Sequence, residues 1–275
     1  MVKKAVIAAA GNGTRFLPVT KAYPKELLPV MGEPVIHHLV EEVINAGIKK
    51  VAIVHRTGNN LIKKYFSADG NLDRYLKRVG KYHLLEGLRK ISRRLVFISQ
   101  PERLSYGTGA PVLAAKDFIG SDPFVYLYGD DLILEKKTGR FISKLIETFE
   151  KYQAAAVFGA QRVPWADVDR YGSVRFKKDS PVSYQIETVE EGLSADEAPS
   201  NLVQFGRFVV SSRAVKVLEH QELSSRKELF FTDTMKILAK TGVVIAQPIS
   251  AGEWLTTGDP ERWLATNIKF KKFFA

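Results

Sequence analysis

The chain of 275 residues has no cysteine. That excludes disulfides and every metal site built on thiolates. It also suits a reducing compartment, so a cytoplasmic location is expected. No stretch approaches about 18 consecutive apolar residues, and no membrane span is expected. The apolar start, Met1 to Gly11, is short and runs into a glycine loop instead of a cleavage site, so it reads as a first strand and not as a signal peptide. Histidine is scarce. His37, His38, His55, His83 and His220 show no metal-ligand spacing and read as surface or packing residues.

What is present is a chain that is 45% hydrophobic, enough for a substantial core. Its 41 basic residues outweigh 30 acidic ones, giving a net charge of +11. Such a protein attracts polyanions, whether nucleotides or nucleic acid. Much of the excess lies between Lys63 and Arg94. No aromatic-rich nucleic-acid motif accompanies it, so the run reads as a solvated helical face and no nucleic-acid partner is expected.

Strand and helix patterns alternate through the first half. Ala5–Ala9, Val51–Val54, Leu95–Ser99 and Phe124–Tyr128 are short apolar runs. Between them, Val35 to Ile44 follows helical spacing, with Pro34 at its start and Gly47 at its stop. Ala110–Phe118 and the Phe141 to Phe149 segment also read as helices. This alternation predicts a mostly parallel sheet covered by helices. Later, Ala154–Gly159, Gly172–Phe176 and Leu202–Ser211 read as strands, and Thr232–Lys240 and Glu261–Phe273 as helices. Asp179–Pro199 is the most loop-like stretch, and the apolar, basic tail 270–275 closes a helix or joins an interface. With no linker or repeat, residues 1–275 read as one domain.

The first strand ends in Gly11-Asn12-Gly13-Thr14-Arg15-Phe16-Leu17-Pro18. A glycine turn here exposes backbone N–H groups that suit phosphate oxygens. It is neither a Walker A loop nor a complete dinucleotide fingerprint. Arg15, and Lys25 ten residues on, are cations of the kind phosphoryl transfer needs.

The stretch Ala8 to Pro18, followed by Pro24-Lys25-Glu26-Leu27-Leu28-Pro29, resembles the paired signature of the sugar nucleotidyltransferases. That resemblance implies a three-layer α/β/α Rossmann-like nucleotidyltransferase fold with a mixed, mostly parallel central sheet. It implies a nucleotide-binding half over about 1–135 and a sugar-binding half over about 136–275. Arg15 and Lys25 would hold the phosphates and stabilise the transition state. Ala10, Gly11, Gly13 and Thr14 would lie against the nucleotide. Gln100 and Gly107, in Gln100-Pro101-Glu102 to Ala110, would read the base. Asp130, in Leu127-Tyr128-Gly129-Asp130-Asp131, would bind the nucleotide's Mg²⁺. Gly172, Glu190 and Asn201 would contact the sugar.

Two positions depart from the family pattern. Glu191 stands where the family carries a lysine for the sugar phosphate, with Arg175, Lys177 and Lys178 as nearby candidates to replace it. Thr256 stands where related thymidylyltransferases carry a second Mg²⁺-binding aspartate. Mg²⁺ would then rest on Asp130, phosphates and water, which its chemistry allows. The helical insertion Asn60 to Ser99 resembles that of bacterial glucose-1-phosphate uridylyltransferases and favours UTP and glucose 1-phosphate. Three alternatives stay open on the sequence: another nucleotide and sugar pair, a catalytically weak regulator, and a nucleic-acid-binding module. The resemblance also implies a homodimer or homotetramer.

Overall fold

The computed structural model describes residues 1–224 and 227–274. Its elements, in chain order, begin with β1 (Lys4–Ala9), β2 (Pro29–Val30), β3 (Glu33–Pro34), α1 (Val35–Asn45) and β4 (Lys50–Arg56). The insertion follows as α2 (Leu61–Phe66), α3 (Gly70–Arg78) and α4 (Glu86–Ser92). Then come β5 (Leu95–Gln100), α5 (Ala110–Ala114), α6 (Lys116–Ile119), β6 (Phe124–Tyr128), β7 (Asp131–Leu134) and α7 (Arg140–Tyr152). The second half contains β8 (Ala156–Arg162), β9 (Gly172–Phe176), β10 (Ile186–Glu191), β11 (Leu202–Val210), α8 (Arg213–His220), α9 (Phe231–Thr241), β12 (Val244–Pro248), β13 (Glu253–Thr256) and α10 (Pro260–Phe274).

The central sheet is mixed. Strands β6, β1, β4 and β5 lie side by side and parallel. The reversal enters with β11, antiparallel to β6, β8 and β9. One sheet therefore carries strands from both halves of the chain. Two apolar clusters cover its faces. One gathers α1 and α7 residues such as Leu39, Val43, Ile142 and Leu145. The other gathers Val112, Phe208, Phe231 and Met235. Strand β11 is buried along its whole length and β1 along most of it, so both are mainly apolar, with Gln204 and Arg207 the polar exceptions in β11.

Three expectations change. The predicted helix Ala110–Phe118 is divided at Ala115. The loop-like stretch 179–199 contains strand β10, paired antiparallel to β9. Its charged residues hid it, because only Ile186 and Val189 turn into the core. The tail continues α10 to Phe274, and Ala275 lies outside the described residues. Among the described residues, no helix is long and apolar enough to cross a membrane.

Candidate active site

The parallel strands β1, β5 and β6 deliver their C-terminal ends to one edge of the sheet. Ligands of open α/β sheets bind at such edges. Here the edge opens into a cleft of about 340 Å³. Ala10, Gly11, Arg15, Lys25, Gln100, Gly107, Asp130 and Gly172 all line it, although they lie far apart in sequence.

Charge is concentrated at the floor. Lys25 Nζ donates to Asp130 Oδ2 at 2.5 Å. Burial disfavours the Lys25 ammonium, but Asp130 and then Glu26 outweigh it and raise its pKa. Burial likewise opposes the Asp130 carboxylate, and Lys25 overcomes it, so Asp130 is held below the ordinary range. A methyl group placed on Gly258 would lie 3.2 Å from Asp130 Oδ2 and 3.6 Å from Arg15 Nη1, so both charges converge on that glycine. Thr257 N donates to the Asp130 carbonyl at 2.6 Å, which ties the loop after β13 to the loop after β6.

Two carboxyls beside this pair behave differently. Glu26 is buried and desolvation pushes it up to about 7. Asp131 is pushed up to about 6 by burial and by Asp130, while it accepts from Gly206 N at 2.8 Å. One aspartate of the pair thus faces the cleft ionised, and the other braces β11.

Two glycines shape the walls. Gly107 has φ of 127°, and a side chain there would strike the Leu229 carbonyl at 2.5 Å. Only glycine fits that turn. At Gly129 a methyl group would fall 2.1 Å from the Ala8 carbonyl, so glycine is what lets β6 leave the sheet against β1. Along the walls, Gln100 Oε1, Glu26 Oε2 and Gln204 Oε1 are buried with no hydrogen-bond partner among the described residues. Orphaned polar atoms lining one cleft mark the seat of a polar ligand.

Four sequence candidates lie elsewhere. Gly13 and Thr14 do not line the cleft. Gly13 takes a left-handed turn against Thr20, whose hydroxyl donates to its carbonyl at 2.7 Å. Thr14 is exposed at the start of the next turn. Glu190 pairs with Ser173 and Glu191 with Gly172, and alternation along β10 turns Glu191, not Glu190, into the cleft. Glu191 accepts from the Thr232 hydroxyl, and desolvation raises its pKa. Asn201 is spent on structure: its Nδ2 donates to Val163 O at 3.0 Å and its Oδ1 accepts from Arg162 at 2.6 Å.

Arg175, Lys177 and Lys178 do not reach the cleft either. Among the described residues, the cation that lines it besides Arg15 and Lys25 is Arg170, from the turn before β9. Glu191, Arg170, Gln204, Glu228 and Trp254 complete the lining. No local signal marked Arg170, because a cation beside Tyr171 looks like any surface residue until β9 is folded against β11. Thr256 lies at the floor, its hydroxyl 3.5 Å from the Asp130 carbonyl.

For Mg²⁺ the donor set fits. One ionised carboxylate stands at a strand end beside two cations, Arg15 and Lys25, and Mg²⁺ takes one or two carboxylates together with substrate phosphates and water.

A glycine loop, paired cations and a strand-end aspartate on this mixed sheet suit a nucleotidyltransferase. The chain belongs to the Nucleotidyl transferase family, which it matches over residues 4–272. It is similar to the UTP–glucose-1-phosphate uridylyltransferase of Bacillus subtilis (strain 168), at 34% identity over 271 residues, covering 98% of this chain and 91% of that one. Among solved structures it is similar to UTP-bound UGPase from Acinetobacter baumannii, with TM-score 0.87 and 30% identity over 98% of this chain and 93% of that one. It is also similar to a UDP-glucose pyrophosphorylase complexed with UDP-glucose, with TM-score 0.85 and 28% identity over 99% of each chain.

Proposed function

We propose that this enzyme transfers a uridylyl group from UTP to glucose 1-phosphate, giving UDP-glucose and pyrophosphate. The observation that carries the reading is the convergence of Gly11, Arg15, Lys25 and Asp130 at the C-terminal ends of parallel strands, with the unpartnered Gln100 Oε1 on the adjoining wall. The similarity to uridylyltransferases over nearly the whole chain supports it.

In this reading a phosphate oxygen of the sugar 1-phosphate attacks the α-phosphorus of UTP. The bond from that phosphorus to the bridging oxygen breaks, and pyrophosphate leaves with the electron pair. A phosphate dianion is already nucleophilic, so no side chain need act as base. Arg15 and Lys25 neutralise charge that grows on the phosphates, in a cleft where fixed charges need not reorganise. Gln100 Oε1 accepts from the base edge, and Gly107 keeps that wall thin. Arg170 meets the sugar phosphate in place of the lysine lost at Glu191. Asp130 would hold Mg²⁺, which when bound would supply further charge neutralisation.

Pyrophosphate release tests this, with UTP or dTTP against a panel of sugar 1-phosphates. Fast release with UTP and glucose 1-phosphate is expected. No turnover with any pair, in folded protein that still binds UTP, would instead support a regulator, the second reading that Glu191 and Thr256 favour. Self-association as a homodimer or homotetramer is part of the proposal, and light scattering measures it.

A further inference from the structure

His37 reads in sequence as a packing residue, yet its surroundings are not those of one. It lies in the first turn of α1, with its side chain 7% exposed. The ring is fixed on two sides: it stacks on Phe66 and meets Tyr65 edge-on, both from α2. Nδ1 is engaged by Tyr65 Oη at 2.8 Å. Nε2 therefore points the other way, toward two carboxylates outside the cleft. Glu41 Oε1 lies 3.5 Å from it and Glu33 Oε2 3.9 Å. His38 also approaches this group, with Nδ1 3.9 Å from Glu33 Oε2.

Three Lewis bases thus converge, one of them on a nearly buried ring. If Nδ1 carries the hydrogen toward Tyr65, the Nε2 lone pair faces negative oxygens. That arrangement calls for a positive centre among them. The geometry also has the right size. One ligand atom from each of Glu33, His37 and Glu41 can be chosen so that all lie within 4.8 Å of one another. In a tetrahedral zinc site with bonds of about 2.0–2.1 Å, ligand atoms stand about 3.4 Å apart. Glu41 already meets that distance from Nε2. Glu33 and Glu41 are half-exposed, so their carboxylates have freedom to draw in around an ion.

We propose that Glu33, His37 and Glu41 form a binding site for a divalent transition metal, with zinc the best match, separate from the Asp130 site. An imidazole ligand favours zinc-like ions over magnesium, which prefers oxygen alone. Tyr65 orients the imidazole from behind, as outer-shell partners of metal-bound histidines do. Because Tyr65 belongs to the helical insertion and the ligands to α1 and its approach, metal binding would clamp the insertion onto the nucleotide half. Its effect is on stability and not on the chemistry in the cleft.

The test uses the untagged full-length protein, freed of metal and titrated with Zn²⁺ and with Co²⁺, read by calorimetry, visible absorption and thermal unfolding. Saturable one-to-one binding is expected, with a rise in Tm because the ion binds only the folded state. Glu41→Gln, at a half-exposed position that should not disturb folding, is expected to weaken binding at least about tenfold, and Tyr65→Phe by about tenfold. Asp130→Asn should leave Zn²⁺ binding intact. Absence of saturable binding would overturn the proposal. So would a Glu41→Gln protein that binds as tightly as the parent, or loss of binding in Asp130→Asn alone, since the ion would then sit in the cleft and the three side chains share only a proton.

Discussion

Arg207 and Glu42 form a bidentate ion pair in the core, Nε to Oε1 at 2.9 Å and Nη2 to Oε2 at 2.8 Å. Arg207 is wholly buried on β11 and Glu42 nearly so on α1. The same guanidinium donates to the carbonyls of Asp131 at 2.7 Å and Gly206 at 2.9 Å. It therefore braces the turn that presents Asp130. Removing one partner leaves an uncompensated buried charge. Glu42→Ala is expected to cost about 3–5 kcal/mol, and the double variant Glu42→Ala/Arg207→Met less than the sum of its parts. Denaturant unfolding of the four proteins checks this.

Arg15 and Lys25 differ in what else they do. Each is expected to contribute about 3 kcal/mol to the transition state, or about 10²-fold in kcat, when replaced by alanine. Arg15 is exposed, so Arg15→Ala should keep the parent Tm. Lys25→Ala also strands Asp130, and should lose stability as well as rate. Steady-state rates with parallel melting curves separate the two effects. An Arg15→Ala enzyme with near-normal turnover would sink its assignment.

Glu26 sets a pH dependence. Its pKa rises from an ordinary 4.5 to about 7 on folding, so between those values the folded state holds a proton that the unfolded chain has lost. Stability therefore falls as pH rises through this window, by at most about 3 kcal/mol. Below about 4.5 both states are protonated and the penalty vanishes. Glu26→Gln should flatten that part of the profile, measured by urea unfolding from pH 4.5 to 8 without divalent cations. An unchanged slope would contradict it.

Arg170→Ala is expected to raise KM for the sugar 1-phosphate about tenfold or more while leaving the affinity for UTP near that of the parent, since a charge-assisted hydrogen bond is worth about 1.5–3 kcal/mol. Glu191→Lys should partly restore binding in that background. Initial rates at saturating UTP decide. Equal KM values in parent and Arg170→Ala would remove Arg170 from the site.

Thr256 stands beside the Asp130 carbonyl on the cleft floor. A carboxylate there would give Mg²⁺ a second protein ligand. Thr256→Asp should lower the Mg²⁺ concentration that gives half-maximal rate, and chelation should abolish turnover in both proteins. A Mg²⁺ titration of initial rates reads this directly.

The residues legible in the sequence were those whose local backbone does the work. Gly11, Arg15, Lys25 and Asp130 sit in loops that follow strands, and their short-range patterns survive any rearrangement of distant elements. The apolar runs of β1, β4 and β6 were legible because cover on both faces leaves little room for polar residues, and that of the edge strand β5 because Leu95 to Ile98 are contiguous apolar residues. Strand β10 was missed because it is an edge strand whose register shifts between Ile186 and Thr188, so its buried Ile186 and Val189 stand three apart, out of simple alternation, among charges. Glu190 and Glu191 could not be told apart, since one residue of register decides which faces the cleft.

The sequence by itself determined the parallel strands of the first half, the glycine loop that follows β1 and the family, because these rest on periodicity and on contiguous motifs. Only the tertiary structure decided that Arg170 enters the cleft, that Asn201 does not, that Glu42 is spent on Arg207, and that His37 faces two carboxylates. Each of these depends on which distant backbone comes to lie against the residue. A side chain's partners across a sheet or between helices are set by packing, and packing leaves no local trace in the order of the amino acids.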